Sequence, residues 1–337
     1  VGARSSSTAP FSLASSLMSA SRSVPAPSAA FSSNSTLSPK GQSLRRYRYD
    51  VGLGCPRSGT TFLMETMNAL PDVECMTGTL LPVSIPQIVN ADLPQSVADA
   101  LAVGFERALD DYMQSGRFHS RGAALQKWVN APTGLRGLLN AVRGHRSIDR
   151  LLYKEPFLAF APEFVYKALP EAKIIHLYRD GRDCANSLIR TYDVLSDENL
   201  THLMGAEMRL GRKVDHRYVP WWVAEGREQE FLAATPYGRA IWMWAYMARR
   251  CHTFFSQPEV VASGRVLQLR YEDFVQAPTE HGERILDHLD LAASRGFRRR
   301  LSEAHAGSIG KHDRRPDAEI AEAERIAGDE LALLGYH

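Results

Sequence analysis

Three short stretches carry the residues best suited to chemistry. The first is Gly54-Cys55-Pro56-Arg57-Ser58-Gly59-Thr60-Thr61. Two glycines bracket it, and one cation and three hydroxyls fill it. A glycine-bounded loop that turns a strand into a helix presents several backbone N–H groups at the positive helix end, and that geometry holds an anion, most often a phosphate. Arg57 adds a planar, bidentate partner for such an anion. Gly54, Gly59 and Thr61 meet the pattern G-x-x-x-x-G-K-[ST], but Thr60 stands where an NTPase needs the lysine for its β/γ-phosphates. The second stretch pairs Arg179 with Ser187, about two helical turns further on, so that both can address one ligand. The third is Lys154-Glu155-Pro156, a cation beside a carboxylate.

The surrounding patterns supply the elements that position these residues. Tyr49, Val51 and Leu53 alternate as in a strand, and Phe62, Leu63, Thr66, Met67 and Leu70 recur at helical spacing until Pro71. A short strand runs into Lys154, a helix opens at Pro162, and the strand Lys173 to Tyr178 delivers Arg179 just before a helix from Gly181. A cation at the end of a buried strand lies at the carboxyl edge of the sheet, where doubly wound folds bind ligands. Val266 to Tyr271 is a further strand, followed by Glu272-Asp273 and a helix from Pro278 to Leu289, and a closing helix runs from Pro316 to Leu334. The order predicts one α/β domain, a P-loop-like three-layer sandwich whose central parallel sheet, built from strands near 48–53, 173–178 and 266–271, is flanked by helices. Val97 to Met113 also has helical periodicity. Arg239 to Arg250 reads as a helix with Ile241, Trp244 and Ala248 on one face. It is expected to pack the core together with Trp221 and Trp222, an acceptor or adenine wall being the lesser alternative. Arg136, Arg143, Arg146 and Arg150 read as a solvated basic face.

Composition narrows the function. The 337 residues carry a net charge of +2, too balanced for a nucleic-acid binder. Cys55, Cys75, Cys184 and Cys251 are scattered without CxxC spacing, which implies neither a zinc site nor a dense disulfide framework. No apolar run has the ~18 residues of a membrane span. Residues 1–45 are rich in Ser, Ala and Pro, contain Arg4, Arg22, Lys40 and Arg45, and precede the first acid, Asp50. They are expected to be a disordered, removable tail, either a plastid-type transit peptide or a linker from a larger polypeptide, attached to a domain over 46–337. A cytoplasmic location, or a plastid if the tail is a targeting peptide, is the corresponding expectation.

CPRSGTTFL resembles the 5′-phosphosulfate loop of the sulfotransferases that use 3′-phosphoadenosine 5′-phosphosulfate (PAPS), and its Arg resembles the tyrosylprotein and bacterial branches. The resemblance extends over roughly residues 48 to 337, and VLQLRYED resembles a later segment of the family. It implies PAPS as co-substrate, no metal, and transfer of a sulfuryl group to an alcohol, phenol or amine on a small molecule, carbohydrate, lipid or carrier-bound acceptor. It further implies that Arg57, Ser58, Gly59, Thr60, Thr61 and Phe62 surround the 5′-phosphosulfate, that Arg179 and Ser187 bind the 3′-phosphate with Lys311 completing the clamp, and that Lys154 follows charge on the bridging oxygen. One departure stands out. The family's tyrosylprotein branch has a glutamate base where this chain reads Thr77-Gly78-Thr79, and no histidine follows Lys154. Glu155 is the first candidate base, with His119, His145 and His176 behind it. A P-loop kinase or NTPase, and a non-catalytic PAPS-binding protein, are the competing readings.

Overall fold

Five parallel strands form the centre of the molecule: β1 (Arg48–Leu53), β2 (Val73–Thr77), β3 (Arg150–Lys154), β4 (Ile174–Tyr178) and β7 (Val266–Arg270), in the order β2-β3-β1-β4-β7. Between β4 and β7 in sequence, β5 (Arg212–Val214) and β6 (Arg217–Val219) form a separate antiparallel hairpin. The computed structural model describes residues 47–77, 94–114, 120–144, 148–192, 195–202 and 212–337. The tail expected over residues 1–45 and the candidate bases His119 and His145 lie outside them.

The sheet is parallel because each strand returns through a helix. The helices are α1 (Thr60–Asn68), α2 (Gln95–Gln114), α3 (Arg121–Asn130), α4 (Gly134–Val142), α5 (Pro162–Ala168), α6 (Gly181–Thr191), α7 (Asp197–His202), α8 (Glu228–Ala233) and α9 (Pro236–Phe255). After them come α10 (Pro258–Ala262), α11 (Tyr271–Gln276), α12 (Pro278–Leu289), α13 (Arg295–Leu301) and α14 (Asp317–Leu333). Alternate residues of each strand enter opposite cores, as the two-residue repeat of a strand requires. Val51, Leu53, Tyr153 and Ile174 face a core with Phe105 and Leu109 of α2, much of α9, and Ala323 and Leu331 of α14. Leu152, Ile175, Leu177 and Leu269 face the other, with Leu63 and Met67 of α1, Ile285 of α12 and Phe297 of α13. The three-layer sandwich read from the sequence is the fold found.

Two elements differ from the sequence reading. Strand β2 pairs with β3 at the sheet edge. Its residues Glu74 and Cys75 are only half-buried, so VECMT lacks the continuous apolar run that marks an inner strand. Arg150 does not belong to a solvated basic face. It is 5% exposed, its Nε lies 3.2 Å from Asp50 Oδ2, and it also donates to the carbonyl of Leu289. It neutralises the one carboxylate buried in the central strand. The tryptophan of α9, Trp244, is buried in the core as expected, while Trp221 and Trp222 pack partly buried against it.

Candidate functional site

The C-terminal ends of β1, β3 and β4 are neighbours, because β1 lies between the other two. The register sets Gly52 opposite Lys154 and Leu53 opposite His176, so the three chemistry-bearing stretches emerge at one sheet edge.

The loop after β1 is shaped for an anion. Helix α1 begins at Thr60 with Gly59 as its cap, at φ 93°, and among the described residues no side-chain cap satisfies its first N–H groups. Such an end attracts negative charge. Arg57 itself has φ 72°, an uncommon conformation for a residue with a Cβ, of the kind that concentrates at binding sites. Gly54 has no room for a side chain, since a Cβ there would run into the carbonyl of Leu177 and the hydroxyl of Ser58. Ser58 is fully buried, and its Oγ has no hydrogen-bond partner among the described residues. A buried hydroxyl left without a partner costs about 1–3 kcal/mol, which makes Ser58 Oγ a candidate ligand contact. Thr60 is buried at the helix start, Thr61 is exposed, and the half-buried Phe62 sets its ring against Phe274 at 5.6 Å.

Arg57 and the β4 stretch meet directly. Arg57 Nε donates to Ser187 Oγ at 2.9 Å, joining the loop after β1 to helix α6. Arg179, at the end of β4, is 5% exposed and donates from Nη1 to the carbonyl of Arg57 at 3.1 Å and from Nη2 to the carbonyl of Ser308. Its guanidinium lies 4.6 Å from the Tyr271 ring centroid and pairs with Asp183 at 3.3 Å. Arg179 and Asp183, four residues apart, thus form a buried ion pair at the start of α6. The pair still leaves the buried Arg179 Nε without a partner among the described residues.

Asp183 fastens a third piece of chain to this edge. It accepts from the N–H of Gly310 at 2.8 Å and from the N–H of His312 at 3.1 Å, and His312 Nδ1 lies 3.0 Å away. Burial alone would raise its pKa, but the His312 and Arg179 partners outweigh burial and hold the carboxyl below the usual range. Tyr271 OH shares a hydrogen bond with Ser308 Oγ at 2.8 Å. The segment 308–312 is thus seated beside Arg179. Lys311 starts a single 3-10 turn there, with its side chain exposed. Asp183, Tyr271, Ser308 and His312 were not singled out as site residues from the sequence. The i,i+4 spacing of Arg179 and Asp183 was the sequence signal for the acid among them.

Lys154 and Glu155 stand at the end of β3. Burial pulls the Lys154 ammonium below its usual range, Glu155 opposes the shift, and the Arg57 cation adds to it. Burial likewise pushes the Glu155 carboxyl up, against the Phe157 N–H that it caps and the Lys154 charge. Lys154 and Arg57 are therefore within electrostatic reach of one another at this edge. His176 does not join them. It points into the core from the middle of β4, 3.3 Å from Gln268 Oε1 and against the Phe255 ring, and burial pushes its pKa down to about 4. The candidacy of His176 as a base is corrected on that ground: no acceptor reaches a ring enclosed in the core.

Comparison with known proteins gives a consistent assignment. A family model described as "Sulfotransferase family" matches residues 51–232, more than half of the chain. The chain is 28% identical over 137 residues to Protein-tyrosine sulfotransferase A of Caenorhabditis elegans, a match that spans 40% of this chain and 31% of that relative. The chain thus covers about a third of the length of the curated relative. Among solved structures, the sulfotransferase domain of the Synechococcus PCC 7002 olefin synthase superposes with a TM-score of 0.43 at 18% identity, covering 84% of this chain and 96% of that one. Sulfotransferase STF9 from Mycobacterium avium gives 0.43 at 14% identity, covering 87% of this chain and 78% of that one. The matched span contains Arg57, Lys154, Arg179 and Ser187, and by that match the chain belongs to the sulfotransferase family.

Proposed function

We propose that this chain transfers a sulfuryl group from PAPS to a hydroxyl acceptor, without a metal ion. The observation that carries the reading is the meeting of Arg57, Ser187 and Arg179 at one sheet edge, with the Arg57–Ser187 hydrogen bond at 2.9 Å. A nucleotide bearing phosphate groups at both ends needs two adjacent anion sites, and the edge offers two. The first is the loop of Arg57 to Thr61 with its uncapped helix end. The second is Arg179 with Ser187 and the segment 308–312. The residues suit the group chemically, because Ser58 Oγ and Arg179 Nε, which have no partner among the described residues, are donors.

When bound, the co-substrate supplies a sulfuryl group on a phosphosulfate linkage whose S–O bond breaks during in-line attack by the acceptor. The protein's share is positioning and electrostatics, as in phosphoryl transfer. Arg57 holds the anion in the ground state. Lys154 meets charge that grows on the oxygen linking sulfur to phosphorus, and that selectively favours the transition state. Glu155 takes the acceptor proton. Its raised pKa brings it closer to the value at which a general base works well. Lys311 lends charge to the 3′-phosphate from the rim. A kinase or NTPase reading is disfavoured by Thr60 in the lysine position.

The curated relative is named for protein tyrosine, so a phenolic hydroxyl belongs in the acceptor panel beside carbohydrates, lipids and carrier-bound acyl chains. The test is transfer from ³⁵S-labelled PAPS to that panel, with and without a chelator. Labelled product that survives the chelator is the expected outcome. Tight binding of adenosine 3′,5′-bisphosphate with no product on any acceptor would instead identify a non-catalytic binder.

A further inference from the structure

Outside the site, one region combines two features that proteins usually keep apart. From Tyr112 to Ile148 the sequence contains no Asp or Glu but six Lys and Arg, in a chain whose totals are almost balanced at 40 and 38. Helices α3 and α4 make up most of the described part of this run. They form a hairpin in which the Trp128 indole donates to the carbonyl of Gly134 at 3.2 Å. One side of the hairpin is anchored to the domain. Lys127 points inward, donating to the Asn68 carbonyl at 2.8 Å and to that of Val73, and Ala124 and Ala141 are buried.

The other side carries exposed apolar side chains. Leu135, Leu139 and Val142 recur at i, i+4 and i+7 of α4, and they are 74%, 50% and 51% exposed. Val129 of α3 adds 62%. Interleaved with them, Arg121, Arg136 and Arg143 are exposed and take part in no ion pair among the described residues. Elsewhere exposed arginines commonly find carboxylates, such as Arg227 with Glu230 and Arg300 with Glu303.

We infer that the α3–α4 hairpin docks on an anionic lipid surface, inserting Leu135, Leu139 and Val142 shallowly while Arg136 and Arg143 meet the headgroups. Charge complementarity selects an anionic partner, since no carboxylate of this run competes for the cations. Shape and side-chain type select lipid over an acidic protein. Protein interfaces concentrate energy in aromatic and Arg anchors seated in pockets. Here the exposed apolar groups are aliphatic, and at 74% exposure Leu135 projects outward rather than lining a groove. Aliphatic side chains on one face of a helix, flanked by cations, are the pattern of a segment lying in a membrane interface. The docking does not depend on the sulfotransferase reaction.

The test is co-sedimentation of the full chain with phosphatidylcholine vesicles, with and without phosphatidylserine. Binding should be at least about tenfold stronger with the anionic lipid, and it should fall as salt is raised. Arg136→Glu with Arg143→Glu should lower partitioning by about tenfold or more. Leu135→Ser with Leu139→Ser should lower it comparably while leaving the charge unchanged. Thermal unfolding curves that coincide with wild type would show that both variants are folded. No binding to the anionic vesicles, or equal binding by wild type and the folded variants, would overturn the inference. So would capture only by a soluble acidic protein.

Discussion

In the proposed reaction Lys154 and Arg57 divide the electrostatic work, and substitution separates their roles. A cation used only as charge develops affects turnover, whereas one that also grips the resting anion affects both affinity and turnover. Lys154→Ala is accordingly expected to lower kcat by ~10²–10³, the cost of removing one transition-state stabiliser, with little change in co-substrate affinity. Arg57→Ala should damage both, and steady-state kinetics paired with calorimetry distinguishes the two patterns. Glu155 makes a prediction in pH. Its carboxyl is raised above the ordinary range, chiefly by burial. A base works only when deprotonated, so activity should be lost as the pH falls through that raised value, giving an acid limb above the pH of an ordinary carboxylate. Glu155→Gln should lower kcat by ~10²–10⁴ and remove the limb. A limb that survives in this variant would assign the base elsewhere. As candidates, these residues were readable from the sequence, because a glycine-bounded loop holding a cation is a recurrent anion-binding pattern. Asp183 and His312 were not, because their contribution depends on a contact between segments far apart in the chain.

Helix α6 is the element on which the proposed second anion site depends. Its start is seated on α9: Trp244 Nε1 donates to the Arg179 carbonyl at 3.1 Å, and the indole lies where a Cβ on Gly181 would be. Gly181→Ala therefore pushes the helix start off the indole. Overpacking of this kind costs about 1–3 kcal/mol. It should lower the urea midpoint and weaken adenosine 3′,5′-bisphosphate binding together, since the same displacement moves Arg179. A loss of stability with unchanged affinity would show that the Trp244 seat is structural only. Periodicity revealed α6 and α9 because long buried helices carry strong patterns. It missed β2, a short half-buried edge strand, and it misread Arg150, whose burial is explained by its partners, Asp50 on the adjacent strand β1 and the carbonyl of Leu289.

At the scale of the whole molecule, the order of strands does what no single motif does. Placing β1 between β3 and β4 brings Arg57, Lys154 and Arg179 to one edge from three separate parts of the chain. The presence of a parallel sheet followed from alternating strand and helix patterns. The neighbours of each strand did not follow from them, because pairing is decided by which buried faces match across the sheet. The central claim is that this edge is built for a nucleotide with a second phosphate at its 3′ position. The most direct measurement is a calorimetric comparison of adenosine 3′,5′-bisphosphate and AMP, on wild type and Arg179→Ala. One charge-assisted pair contributes ~1.5–3 kcal/mol. Wild type should therefore prefer the bisphosphate, and Arg179→Ala should weaken it by roughly ten- to a hundredfold while leaving AMP nearly unchanged. Equal weakening of both ligands, or no preference in the wild type, would contradict the claim.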